Sequence, residues 1–206
     1  MDSEKLSNRQ KKALETKDKI YKAAYLLFKN YGFDNVSVDS IVESAGVSKG
    51  TFYVHFDSKS SLIHALSVDL VDDVDSDYKD FVESLLPSTN PSDILILFAE
   101  KISTTITDVV GYDLIKATYE AQITRKINID ESLKYSRDLY QTFNKIISIG
   151  IEKEEFKSTS PVEVITKQCI VAIRGLTYEW CIRYPDFDLK SEVRDHFSLL
   201  LEGIKK

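Results

Sequence analysis

The chain has 206 residues, a hydrophobic fraction of 43% and a formal net charge of −6, which together fit a folded protein of one large or two small domains. Its 7 Gly and 4 Pro are too few for the many tight turns of a β-rich fold, and the long periodic segments between them predict an all-α fold. No run of about eighteen apolar residues occurs and Met1–Lys5 carry no apolar signal region, so we expect a cytoplasmic protein without a membrane partner.

Charge is distributed unevenly along the chain. Residues 1–60 hold 10 Lys and Arg against 8 Asp and Glu, whereas residues 61–206 hold 17 against 25. A mildly basic N-terminal part is compatible with nucleic-acid binding, because only charges within about a Debye length (~10 Å) of the phosphates act strongly. Met1–Ala13 has two interpretations, a frayed, solvated tail or a basic arm that touches phosphate or the minor groove.

The first predicted helix spans about Thr16–Tyr31 and ends at Gly32. Two short helices joined by a tight turn follow it. Ser37 caps the first of these, and Gly46 supplies the left-handed residue on which a helix often ends. Ser48 caps the second, about Lys49–His55. The first short helix has its apolar residues at helical spacing: Val38, Ile41, Val42 and Ala45.

The second short helix is predicted to pack one face on a hydrophobic core and to present the opposite face to solvent. Phe52 and Phe56 are four residues apart and share the core face. A helix in the major groove meets base edges at its centre and phosphates at its sides. The base-side candidates are Gly50, Thr51 and Val54, and the phosphate-side candidates are Tyr53 and His55. Ser37, Ser48, Lys49 and Lys59, at or beside helix starts where free amides attract anions, complete the predicted DNA-binding set.

Residues Ile20–Phe33, Val36–Phe56 and Asp57–Leu62 closely resemble the tetracycline-repressor (TetR) family of bacterial transcription regulators. The resemblance covers about 50 residues of the chain and includes its glycines at positions 32, 46 and 50. The family often carries Glu where Ser60 and Ser61 stand here, so an incomplete capping box is expected after Ser58. The resemblance implies a homodimeric regulator, with a DNA-binding domain at residues 1–60 and a ligand-sensing, dimerising domain at residues 61–206. A fourth helix, about residues 58–75, would connect the two.

Six aspartates between Asp69 and Asp80 are interpreted as a solvated face rather than a metal site, because their spacing fits no cation-binding loop. Pro87–Pro91 predicts a loop. Ser160 and Glu163 predict a capping box that opens a later helix, with Pro161 at its first position. The remaining predicted segments are a helix over about 92–111, an unassigned stretch 112–127, and helices over about 131–154, 160–184 and 189–204.

The helix over about 160–184 carries two apolar stripes, so it must be buried on two sides. One stripe contains Val164, Val171, Gly175, Tyr178 and Ile182. A partner subunit is the simplest cover for a second side, and the last helix would join the interface. The predicted dimer-interface residues are Val162, Ile165, Cys169, Ala172, Gly175, Leu176, Phe197, Leu200 and Leu201. Cys169 and Cys181 lie twelve apart in one helix and are read as core residues rather than a disulfide or zinc pair.

The body is rich in aromatic residues, which favours a small apolar or aromatic effector between its helices. Each such residue can equally be ordinary core. The predicted effector-binding residues are Phe98, Tyr112, Tyr119, Tyr140, Phe143, Tyr178 and Trp180. No metal or cofactor is predicted, and enzyme activity is not expected, since the three histidines are far apart and no Gly-rich phosphate loop or His-Glu-x-x-His pair is present. The alternatives are a helical adaptor or an activator without ligand sensing.

Overall fold

The computed structural model describes residues 7–124 and 137–206, apart from the side chains of residues 64 and 67–72. Within these ranges the chain is helical and forms no strand, as predicted. None of the helices described is both long and apolar enough to cross a membrane. The elements are α1 (Asn8–Tyr31), α2 (Val38–Ala45), α3 (Lys49–His55), α4 (Lys59–Leu85), α5 (Pro91–Thr104), a π-helix (Thr105–Val110), α6 (Tyr112–Ile123), α7 (Asp138–Glu152), α8 (Val162–Arg183) and α9 (Leu189–Ile204).

Helix α1 begins eight residues before the predicted Thr16. Ser7 caps it in a capping box: the Ser7 hydroxyl accepts from the Gln10 amide at 3.3 Å, and the Gln10 side chain accepts from the Ser7 amide at 2.8 Å. Residues 8–15 are exposed on every side. No apolar periodicity therefore marks these first two turns, and the local cap alone sets the start.

Helices α2 and α3 have the predicted bounds and caps. The Ser37 hydroxyl accepts from the Ser40 amide at 3.0 Å, and the Ser48 hydroxyl accepts from the Thr51 amide at 3.0 Å. Gly46 ends α2 in the left-handed conformation, with φ 66° and ψ 36°. This turn sets α3 beside α2 as a helix-turn-helix.

Helix α4 corrects two predictions. The capping box at Ser58 is complete, because Ser61 acts where the family often has Glu: each residue's hydroxyl accepts from the other's amide at 3.0 Å. The helix also continues ten residues beyond the predicted end at about 75, to Leu85. Its first turns join one hydrophobic core through Leu62 and Ile63, and its second half joins another.

The two cores define a head and a body. The head comprises α1–α3 and the start of α4, and the body comprises the rest of α4 with α5–α9. The head core contains Ile20, Ala24, Phe28, Val36, Ile41, Val42, Phe52, Phe56, Leu62 and Ile63, joined by Leu114 and Ala117 of α6. The body core is built from α4, α5, α7, α8 and α9 around Phe98, Phe143, Phe156 and Phe197, each fully buried.

Helix starts in the body differ from the predictions. Helix α5 begins one residue before the predicted start at about 92: Asn90 is its N-cap, and Pro91 takes the first helical position. The predicted cap at Ser160 is wrong: the N-cap of α8 is Pro161, and no side chain caps this helix. The predicted helix over 131–154 is seen as α7, and the predicted part at 131–136 lies outside the described residues.

Much of the predicted dimer-interface set faces the subunit's own core. Ile165, Cys169, Phe197 and Leu201 are 6%, 0%, 0% and 6% exposed, so they have almost no area left for a partner, and their assignment to the interface is wrong. Val162, Ala172, Leu176 and Leu200 are half-buried against the same core, and only Gly175 is exposed. The other stripe of α8 is the outward one, with Val164, Val171, Tyr178 and Ile182 between 46% and 60% exposed.

The aspartate run is not uniformly a solvated face. Asp73, Asp77 and Asp80 are exposed, but Asp75 is only 5% exposed. Its carboxylate accepts from Arg137 at 2.7 Å and 3.0 Å, a bidentate ion pair that joins α4 to the start of α7. Asp75 lies one and two turns before the buried Tyr78 and Val82, so the helical stripe was the sequence signal for its burial. The side chains of Asp69 and Asp72 lie outside the described residues.

Candidate nucleic-acid interface

Helix α3 is anchored on one side and open on the other. Phe52 is fully buried and Phe56 is 4% exposed, and the ring of Phe56 lies 5.4 Å from that of Tyr21 in α1. On the opposite side Val54 is 80% exposed and Tyr53 is 49% exposed. The sequence predicted the inward face, because two aromatic residues four apart fix it, and it placed Val54 opposite that face and Tyr53 on a flank.

The remaining predicted DNA-binding residues lie around this open face. Thr51 and His55 are half-buried at its edges. The Thr51 hydroxyl is 2.8 Å from that of Ser48, so the two hydroxyls already share a hydrogen bond at the start of α3. A base contact by Thr51 would use its methyl group or the free lone pairs of its hydroxyl. Ser37, Ser48, Lys49 and Gly50 are exposed.

Lys49 is tied to α2. Its ammonium lies 2.7 Å from the Asp39 carboxylate, and this hydrogen-bonded pair raises the pKa of Lys49 above its ordinary value. Both side chains are more than half exposed, so the pair adds little to stability. It does reduce the positive charge that the recognition helix presents to a phosphate.

Lys59 has a structural task that the sequence did not reveal. Its ammonium donates to the backbone carbonyls of Phe33 and Val36 at 2.7 Å and 2.8 Å and lies 4.1 Å from the centre of the Phe33 ring. Partial burial lowers its pKa. Lys59 therefore holds the loop between α1 and α2, and a phosphate contact from it stays a prediction.

The predicted effector-binding residues do not converge on one site. The rings of Phe98 and Phe143 lie 4.7 Å apart in the solid body core. Tyr112 and Trp180 meet between α6 and α8, where Tyr112 also stacks on Tyr184 at 4.0 Å. Tyr119 and Tyr178 form a separate pair at 5.9 Å. Tyr140 is 2% exposed and faces Arg174. Which of these groups an effector would touch stays a prediction.

Helix α6 joins the head to the body, a role that the sequence left unassigned. Leu114 and Ala117 pack into the head core. The Tyr25 hydroxyl donates to the Val109 carbonyl at 3.2 Å, and Lys116 is 3.1 Å from Asp34. A crevice of about 190 Å³ opens at this junction, lined by Phe33, Ser60, Ile63, Ala117, Glu120, Ala121 and Thr124. Among the described residues, no group of three His, Cys, Asp or Glu is placed to hold a metal ion.

Phe52 holds α3 on the head core, the outer face of α3 is open, and the left-handed Gly46 sets α3 beside α2. This arrangement defines a helix-turn-helix DNA-binding protein. Residues 20–66 match the model of the family described as bacterial regulatory proteins, tetR family. Over its helix-turn-helix part the chain is therefore similar to the TetR family of transcriptional regulators.

Similarity extends over most of the chain. The chain is 24% identical over 203 residues to the HTH-type transcriptional regulator AcrR of Shigella flexneri, and the alignment covers 94% of this chain and 91% of that protein. It is 23% identical to the HTH-type transcriptional repressor KstR2 of Rhodococcus jostii (strain RHA1), covering 88% and 87%. The structure of the regulator FadR from Bacillus subtilis in complex with stearoyl-CoA has the same fold, with a TM-score of 0.68, 20% identity and coverage of 91% and 98%.

Proposed function

We propose that the protein is a cytoplasmic, homodimeric, one-component repressor that binds a near-palindromic operator and releases it when a small effector binds the body. The observation that carries the proposal is the outer face of α3, where Tyr53 and Val54 are exposed while Phe52 holds the helix on the head core. Val54 is 80% exposed, so packing within the described part of the subunit does not account for an apolar residue at this position. Val54 suits a thymine methyl and Tyr53 suits a phosphate in the major groove.

Dimerisation is supported by the outward stripe of α8. Val164, Val171, Tyr178 and Ile182 recur at spacings of seven, seven and four, which places them on one side of the helix. An added Cβ on Gly175, in the middle of this stripe, would meet nothing within 4 Å, so the surface there is open to close approach by a second helix. Leu199 of α9 is also 67% exposed. A two-fold axis through these helices would pair α8 and α9 of each subunit.

An apolar or aromatic effector is supported by the aromatic groups of the body, and a structural neighbour carries stearoyl-CoA. The cluster of Tyr112, Trp180 and Tyr184 is a candidate among these groups, because Tyr112 begins α6 and Tyr184 is 50% exposed. Binding there would act on the head through α6 and α4. Moving a population from 99:1 to 1:99 needs about 5.5 kcal/mol of differential affinity, or roughly half of that from each of two ligands.

Selection of binding sites from random duplex DNA tests the first part of the proposal. We expect a near-palindrome with half-site centres about 34–36 Å apart, or a multiple of this, and a dimer by light scattering. A chain that enriches no duplex sequence would favour the helical adaptor. Reporter expression from the selected site then separates a repressor from an activator.

The effector part has its own readout. Trp180 is the single tryptophan and lies beside Tyr112, so its fluorescence reports on this cluster. Apolar and aromatic compounds should include one that changes this emission and releases the selected DNA at the same concentration. Tight binding to the body with no change in DNA affinity would make the body a dimerisation domain only.

A further inference from the structure

The first turns of α1 form a helical arm, Asn8–Lys19, that contributes no residue to the two hydrophobic cores of the described part of the subunit. Its residues are exposed apart from Thr16 and Lys17, which are half-buried, and the head core begins only at Ile20. Twelve residues of helix extend about 18 Å. The capping box at Ser7 holds the start of this arm in helical form.

The arm points away from the body. The opposite end of α1 meets the body, where Tyr25 donates to the Val109 carbonyl and Gly32 faces the Asp113 carboxylate. Near the base of the arm, the Tyr21 ring contacts Phe56 at the end of α3. The arm therefore starts beside the recognition helix and continues on the side of the head that is remote from the body.

The arm carries the positive charge of the described part of the head. Residues 20–60 have four Lys and four Asp or Glu, so their formal charge is zero, whereas residues 8–19 have five Lys or Arg against two Asp or Glu. Two of the four head lysines are also engaged, Lys49 with Asp39 and Lys59 with backbone carbonyls. The recognition helix alone thus offers little attraction to a polyanion.

Three arm cations form one stripe. At 100° per residue, Arg9, Lys12 and Lys19 fall within an arc of about 80°. The stripe therefore lies to one side of the face that enters the head core, about 100° around the helix from the mean direction of Ile20, Ala24 and Phe28. Among the residues that the structure describes, Arg9, Lys12 and Lys19 have no ion-pair partner. Nothing within the described subunit thus competes for these charges.

We propose that the arm is a second DNA-binding surface, on which Arg9, Lys12 and Lys19 contact backbone phosphates of the duplex beside the bases that α3 meets. This inference rests on the proposed DNA-binding function. It adds that the arm makes the main electrostatic contribution to the affinity for DNA. Phosphate contacts of this kind carry no base information, so the arm strengthens binding to all duplexes alike.

The test is the triple variant Arg9→Gln, Lys12→Gln and Lys19→Gln, since Gln keeps a helix propensity close to that of Lys and Arg. The matched control removes three exposed body cations, Lys79→Gln, Lys153→Gln and Lys205→Gln, for the same change in net charge. Circular dichroism and light scattering check that both variants fold and associate as the parent does. Affinities for the selected operator and for a random duplex are measured between 50 and 300 mM salt.

The arm variant should lose at least tenfold in affinity for both duplexes at about 100 mM salt, and its log–log salt dependence should flatten by about 0.9 for each lost phosphate contact. Trimming the operator flanks should weaken the parent protein towards the level of the arm variant and leave that variant unchanged. A salt slope equal to that of the parent and control would overturn the proposal and leave the arm a solvated helix. If the parent protein binds no duplex at all, both the proposed function and this inference about the arm are wrong.

Discussion

At the scale of single residues, the clearest constraint is the contact between Gly150 and Phe156. Gly150 lies in α7, and a Cβ placed on it would stand 2.1 Å and 2.3 Å from two ring atoms of Phe156. That ring is fully buried in the body core, and the Gly150 carbonyl also accepts from the Phe156 amide at 2.9 Å. A glycine within a helix normally weakens it, so packing against Phe156 is the reason for Gly150 in the last turn of α7.

Gly150→Ala should therefore lower the free energy of unfolding, by on the order of 2 kcal/mol, because the overpacking exceeds the gain of up to about 1 kcal/mol in helix propensity. The matched control is Gly203→Ala in α9, where an added Cβ meets nothing within 4 Å. This change should raise stability by up to about 1 kcal/mol. Urea midpoints at one fixed protein concentration provide the comparison. Equal stability of the two variants would mean that Phe156 moves aside at no cost.

At the scale of elements, serine is the residue that starts the head helices. Ser7, Ser37, Ser48 and Ser58 cap α1–α4, and for α2 and α4 the third helical residue is also a serine that closes the box. The shorter side chain of Ser61 reaches the Ser58 amide as Glu would. The pattern of two serines three apart is therefore a start signal of its own in this chain.

The recognition helix should separate reading of bases from positioning on phosphates. Thr51→Ala or Val54→Ala should change base preference at one operator position, by roughly 1–3 kcal/mol for a good contact. Tyr53→Phe should weaken binding to all sequences alike, because it removes only a hydroxyl at the flank. Site selection with each variant provides the measurement. A uniform loss for the Thr51 and Val54 variants would show that the base-side face is assigned wrongly.

Lys59 also belongs to the predicted DNA-binding residues, and we expect two effects of Lys59→Ala. If Lys59 also reaches a phosphate, the salt slope should fall by about one unit. The loss of its bonds to the Phe33 and Val36 carbonyls should in addition lower the stability of the head. The thermal stability of this variant must therefore be compared with its DNA affinity before a phosphate contact is assigned.

At the scale of the whole molecule, two helices connect head and body. Helix α4 contributes to both cores, and α6 places Leu114 and Ala117 in the head core. A change in the body around Tyr112, in the first turn of α6, would reach Leu114 and Ala117 in the head core over about half a turn to one and a half turns of that helix. This is a shorter route than the path along α4 alone that the sequence predicts.

The outward stripe of α8 should govern the oligomeric state. Val171→Glu should dissociate the dimer, because the two-fold axis would bury two unpaired carboxylates at about 2 kcal/mol or more each, a loss of roughly a thousandfold or more in association. Ile123→Glu, at a residue that is 66% exposed on α6, is the matched control and should leave association unchanged. Light scattering across a dilution series distinguishes the two variants. A Val171→Glu protein that remains dimeric would place the interface elsewhere.

The sequence by itself determined the all-α fold, the helix-turn-helix, the bounds of α2 and α3, and the outward direction of Tyr53 and Val54. These features depend on contacts between residues three or four apart and on caps, which a short stretch of sequence contains in full. The sequence also showed that α8 has two apolar sides.

Only the tertiary structure decided which of those sides is inward, because both stripes have the same periodicity and differ only in what packs against them. It also decided the pairing of Asp75, because Arg137 is brought to that carboxylate from 62 positions away. The role of Lys59 depends on carbonyls 23 and 26 positions earlier in the chain. The exposed arm of α1 is the converse case: its residues join neither hydrophobic core of the described part of the chain, so its helical form left no apolar pattern in the sequence.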